Sequence, residues 1–186
     1  MTTIKKLTTP LTYDQIKDLK AGDQVSISGI IYSARDAAHK KMVEALEENK
    51  PLPIEVAGQI IYYAGPTPAK PGKVIGSCGP TTSGRMDPYS PQMMKQGLKG
   101  MIGKGPRSKE VIESIKKNGA VYFAAIGGAA ALIADTIKKA DIVAFDELGP
   151  EAIRCMEVKD YPCIVAVDSE GNDLYEIGVE KYRVES

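Results

Sequence analysis

An α/β fold, laid out as a single compact layered domain with a mixed sheet over residues 1–186, is what three features of this chain predict. Strand-like and helix-like segments alternate on both sides of a middle rich in proline and glycine. Apolar residues make up 43% of the 186, enough for a core that needs no disulfide or metal. The last two strand-like runs are joined by Ser169-Glu170-Gly171-Asn172, a turn sequence that sends a chain back antiparallel.

Taken in order, Val25-Ser26-Ile27-Ser28 alternates apolar with polar, and Gly29-Ile30-Ile31-Tyr32 is then apolar, as a strand entering a core would be. A helix over 34–50 follows, with Ala38, Met42, Val43 and Leu46 at helical spacing and Lys40, Lys41, Glu44, Glu47 and Glu48 for its wet face. From 51 to 106 regular structure must be brief, because nine of the twelve prolines and ten of the eighteen glycines fall there. Only short apolar runs, such as 59–64 and 73–75, interrupt it. The last third predicts a helix over 108–117, a strand over 120–125, a turn at Gly127-Gly128, a helix over 129–139 and a strand over 142–145. A short helix over 151–156 and strands over 163–168 and 174–179 complete the chain.

Charge and composition exclude several functions. Lys and Arg (24) balance Asp and Glu (24), so no bulk positive field draws nucleic acid or anionic lipid, and neither is expected as a partner. The longest apolar stretch, 119–134, is broken by two glycines and falls short of the roughly 20 residues that span a bilayer. The first residues lack the apolar core of a secretory signal, which predicts a cytoplasmic protein. Cys78, Cys155 and Cys163 are then reduced thiols, and their spacing matches no cluster-binding pattern.

Three segments carry candidate chemistry. Arg35 and Asp36 fall where strand passes to helix, a junction at which unpaired amides of the first helical turn point outward. Gly79-Pro80-Thr81-Thr82-Ser83-Gly84-Arg85-Met86-Asp87 puts three hydroxyls and a guanidinium on one loop. If that segment turns helical at Thr81, Arg85 lies on the same face one turn on, and the pair forms a seat for an organic acid. The alternative is a capped turn with no ligand. Lys104 is set among glycines in Gly100-Met101-Ile102-Gly103-Lys104-Gly105, but the Ser or Thr that a nucleotide-binding loop needs after its lysine is replaced by Gly105. His39, the only histidine, sits one turn into the helix and reads as structural, and Tyr62-Tyr63 and Met93-Met94 read as core or interface.

These segments, in order, resemble a known family. Ser28-Gly29 through Arg35-Asp36-Ala37-Ala38-His39, Tyr63-Ala64-Gly65-Pro66-Thr67, the 79–87 loop and Ile102-Gly103-Lys104-Gly105 are similar to the β subunit, or C-terminal domain, of class I iron–sulfur fumarases and L-tartrate dehydratases. Gly127-Gly128-Ala129-Ala130-Ala131-Leu132 and Leu148-Gly149-Pro150-Glu151-Ala152 extend the match over nearly the whole chain. The resemblance implies a swivelling β/β/α domain that closes over a [4Fe-4S] cluster held by a separate α subunit, with no metal bound by this chain. It implies reversible hydration of fumarate to (S)-malate, with Arg35, Arg85 and Lys104 binding the substrate's carboxylates and Thr81 handling the carbon-bound proton. Asp36 is the second acid/base candidate, against a role as helix cap or tether for Arg35. The resemblance also implies self-association into a homodimer or heterotetramer. Two readings compete with fumarate hydration: a tartrate dehydratase or mesaconase β subunit, and a non-enzymatic organic-acid binding module.

Overall fold

The computed structural model describes residues 3–125 and 130–183. The fold grows from four parallel strands that share one direction: β2 (Gln24–Ser33), β3 (Ile60–Tyr62), β4 (Gly100–Gly103) and β5 (Val121–Ala125). A fifth strand, β7 (Ile153–Val167), runs antiparallel to β5 and also to β2, so the five close into a barrel-like ring within a single α/β domain. Two more strands complete the mixed sheet: β1 (Lys5–Thr8), parallel to the first half of β2, and β6 (Ile137–Ala144), antiparallel to β7.

Side-chain alternation builds two cores from these strands. Ile60, Tyr62, Ile102, Val121 and Phe123 pack inward with Ile27, Ile31, Tyr161 and Val165. Their neighbours Ile61, Tyr63, Met101 and Tyr122 point the other way, under the helices that follow the one-turn α1 (Tyr13–Ile16) in the chain: α2 (Asp36–Glu47), α3 (Ser90–Lys95) and α4 (Lys109–Asn118). Each fully buried aliphatic side chain contributes roughly 1.5–3 kcal/mol. Local signals set the helix ends: the Ser108 side chain accepts from the Val111 amide, and Gly119 closes α4 in the left-handed region at φ 56°.

The expected strand over 25–32 and helices over 34–50 and 108–117 correspond to β2, α2 and α4. The middle stretch is as brief in its elements as its prolines require, holding β3, a 3-10 turn at Ser83–Met86, α3 and β4.

Four expectations are corrected. Helix α5 (Ala130–Thr136) ends before 137, and the residues expected to finish it, 137–139, open β6. The expected helix over 151–156 is split between the end of a 3-10 turn, Asp146–Glu151, and the start of β7, because Ile153 and Met156 find places in the two cores. The expected strand over 174–179 is a helix, α6 (Leu174–Tyr182). Residue 173 explains the difference: the Asp173 carboxylate accepts from the Tyr175 amide at 2.9 Å and starts a helix. Meanwhile β7 has β2 along one edge and β5 and β6 along the other, and the chain past the turn returns to it only in the single bridge of Asp173 to Val167. Finally, the helix through Thr81 and Arg85 does not form; helical geometry begins at Ser83, leaving Thr81 extended. The expected turn at Gly127-Gly128 lies outside the described residues.

Candidate functional site

Strands β2, β3 and β4 end side by side, and the chain leaving each of them carries one piece of the candidate site. Ligands in parallel α/β sheets sit at this carboxyl end, where loops and helix starts converge. Past β2, Ala34 donates its amide to the Tyr62 carbonyl, and Arg35 and Asp36 then open α2. Past β3, the Tyr63 carbonyl accepts the Thr81 amide at 2.7 Å. Past β4, the Lys104 amide donates to the Thr81 carbonyl and the Lys104 carbonyl accepts the Ser83 amide at 2.9 Å. Extended bridges Ala64 to Pro80 and Thr82 to Lys104 seat the segment holding Thr81 between the exits of β3 and β4.

The charged groups meet on that floor. One Asp36 oxygen receives the Arg85 guanidinium at 2.6 Å, and the other lies 3.6 Å from Arg35 Nε. Burial pushes the Asp36 carboxyl upward, but its own backbone amide and the Arg85 side chain outweigh that, holding it below the usual carboxylate range. Asp36 is therefore an ionised tether of two arginines, and its low basicity weakens its case as the proton acceptor. Arg35 is also held from the far side, where Glu151 lies 3.1 Å from its Nε. Its side chain crosses Gly65 so closely that a Cβ there would stand 2.9 Å from Arg35 Cδ, so only glycine leaves the guanidinium this path. Arg85 remains half exposed, and the Lys104 side chain is exposed; among the described residues its ammonium has no hydrogen-bond or ion-pair partner. The Thr81 hydroxyl likewise has none and is partly open to solvent.

Supporting residues were not found by reading the sequence. Glu151 sits where a helix was expected, and its turn is fastened by Arg154, which donates to the carbonyls of Gly149, Pro150 and Ala152 at 3.1–3.3 Å. Arg107 is a buried arginine beneath the loop: it pairs with Asp87 at 2.7 Å, donates to Ser90 Oγ at 2.7 Å and faces the Tyr63 and Tyr122 rings. Nothing in Pro106-Arg107-Ser108 distinguishes it from a surface arginine. His39, by contrast, has the structural role its position suggested. It is fully buried, its Nδ1 donates to the Arg35 carbonyl at 2.8 Å, and burial lowers its pKa to about 4.

The cysteines do not form a ligand set. Cys78 and Cys163 are buried in the barrel interior, Cys155 is partly exposed on β7, and no group of three His, Cys, Asp or Glu side chains able to hold a metal occurs among the described residues. Among the described residues no set of side chains fits a [4Fe-4S] cluster. No helix among the described residues is long and apolar enough to cross a membrane.

Comparison with known proteins adds to this geometry. A family model described as "Fumarase C-terminus" matches residues 2–178. The chain is 45% identical over 172 residues to a protein of Methanocaldococcus jannaschii named, provisionally, L(+)-tartrate dehydratase subunit beta, covering 89% of this chain and 88% of that one. It is 42% identical over 163 residues to fumarate hydratase 2 of Leishmania major, and 41% identical over 164 residues to the aerobic class I fumarate hydratase of Escherichia coli K12. Each alignment covers 87% of this chain but only 29% and 30% of those longer relatives.

Proposed function

Since the chain belongs to the fumarase C-terminus family, we propose that it is the carboxylate-binding, proton-handling part of a hydro-lyase that reversibly hydrates fumarate to (S)-malate. One observation carries this reading: Arg35, Arg85, Lys104 and Thr81, scattered over 70 residues of sequence, converge at the shared ends of β2, β3 and β4.

In this reading the three cations take the two carboxylates of the acid. Arg85 keeps guanidinium donors beyond the one given to Asp36, and a planar fork suits a carboxylate. Arg35, held between Asp36 and Glu151, offers a fixed charge, and Lys104 a mobile one. Thr81 Oγ1 carries the proton to and from the substrate carbon. A threonine hydroxyl does this only if cations stabilise its alkoxide, and the backbone bond between Lys104 and Thr81 holds the lysine-bearing loop beside the threonine-bearing one.

A [4Fe-4S] cluster, held by a separate α-type partner, would supply Lewis acidity toward the substrate hydroxyl. The name of the M. jannaschii relative, a subunit beta, supports a heteromeric partner. The exposure of the site supports a swivelling domain that closes against that partner and strips water from the acid. A second reading has support of its own: the M. jannaschii relative matches this chain nearly end to end, which favours tartrate as the acid under the same division of labour.

The test is anaerobic turnover of fumarate, mesaconate and tartrate by the chain alone and then co-expressed with a cluster-bearing subunit. Activity in the pair alone is expected, and the preferred acid identifies the substrate. A chain that forms no complex and turns over no acid in either setting makes it an organic-acid binding module instead.

A further inference from the structure

We infer that Tyr122 is a positioning residue for the candidate site: its phenol locks the loop bearing Lys104 to the loop bearing Thr81 and Arg85. The inference rests on the reading of those three residues as substrate groups.

Tyr122 lies in β5, fully buried, with Gly105 on one side of its hydroxyl and Ser83 on the other, both at 2.8 Å. The proton directions follow from chemistry. A phenol has one hydrogen, and the Gly105 carbonyl can only accept, so Tyr122 donates there and Ser83 donates to Tyr122. Burial raises the Tyr122 pKa, which keeps that hydrogen in place. Ser83 begins the 3-10 turn that carries Arg85 and stands two residues past Thr81; Gly105 directly follows Lys104. A single buried oxygen therefore joins both loops.

Other contacts leave this joint little slack. A Cβ at Gly103 would stand 1.9 Å from Ser83 Oγ, so the loops touch as closely as glycine permits. The Gly105 amide donates to the Tyr175 hydroxyl at 3.0 Å, so the peptides on both sides of Gly105 are held by phenols. Next to Lys104 and Thr81 themselves, the loops are otherwise joined by two backbone bonds, Ser83 to Lys104 at 2.9 Å and a long one, Lys104 to Thr81, at 3.4 Å; the bonds of Asp87 to Arg107 and to the Ser108 amide lie farther along both loops. The ring of Tyr122 has a separate duty, since the Arg107 guanidinium lies 4.9 Å from its centre. Tyr122→Phe keeps the ring and removes only the joint.

The experiment compares Tyr122→Phe, Ser83→Ala and the double variant in the complex with the cluster-bearing partner, reading kcat and KM for the preferred acid. Amide hydrogen exchange on the free chain is read alongside. The expected result is a KM raised about tenfold in each variant, since misplacing a charged group by a fraction of an ångström costs this much or more. The double variant should be no worse than either single one, because both act through one chain of hydrogen bonds. Exchange at the Ser83 and Lys104 amides should quicken while the melting temperature holds. Unchanged KM with unchanged exchange overturns the inference, as does an additive loss in the double variant. Should Tyr122→Phe fail to fold, Ser83→Ala decides alone. Arg85→Ala and Lys104→Ala separate the two levels of argument. Normal kcat/KM in these variants removes the substrate reading itself, whereas kcat/KM lost in them with normal KM in Tyr122→Phe removes only the positioning role.

Discussion

Arg85 and Arg107 are arginines 22 positions apart whose environments assign them opposite duties. Arg85 is half exposed and paired with a partly exposed Asp36, so the pair adds about 0–1 kcal/mol to stability. Arg85→Ala is expected to abolish turnover and leave the melting temperature within a few degrees; a collapse in thermal stability would remove it from the substrate ligands. Arg107, with its side chain fully buried against Asp87, belongs to the scaffold. Removing it strands the Asp87 carboxylate, so Arg107→Ala should cost roughly 3–5 kcal/mol in urea unfolding, and a cost under about 1 kcal/mol would contradict a scaffold role. Thr81 is the third case at this scale. Thr81→Ala should lower kcat by about 10²–10⁴ with much less change in malate binding, and near-normal rates would exclude it as the proton carrier.

The elements that hold these residues differ in how far local sequence specifies them. Helix α4 is written twice over, by its apolar spacing and by Ser108 and Gly119 at its ends. Helix α6 depends on one side chain against a strand-like pattern, Leu174-Tyr175-Glu176-Ile177-Gly178-Val179. Asp173→Ala removes the acceptor for the Tyr175 amide and should cost about 1 kcal/mol. Fraying should appear as faster amide exchange in the first turn of α6, and an unaffected helix would mean that packing of Tyr175 against Gly105 suffices to start it. The extended segment at Thr81 is the clearest tertiary override. Its hydroxyls and glycines suit a helix start, yet the amide and carbonyl of Thr81 bond to the exits of β3 and β4, which draw the residue into an extended bridge.

The whole molecule has a pH dependence that follows from its one histidine. His39 titrates near 4 in the fold against 6.5 in the unfolded chain, so between those values the unfolded state binds more protons and stability rises with pH. On acidification from pH 6.5 to 4 the loss is on the order of 3 kcal/mol, and His39→Leu should flatten urea-unfolding stability across that window. The carboxyls of Asp23 and Asp36, held below 3.8, add acid sensitivity that begins at the lower end of that window and grows below it. An equal slope in the His39→Leu variant would assign the effect elsewhere. At this scale the sequence by itself determined the α/β class and the segments that form β2, α2 and α4, because apolar period and capping are local properties. The tertiary structure alone decided that β7 runs 15 residues and closes a five-strand ring. It also decided that Glu151 steadies Arg35 and that Arg107 is buried. Those outcomes depend on which strand edges are already filled and which charges meet across long separations, and both are properties of chain closure rather than of any segment.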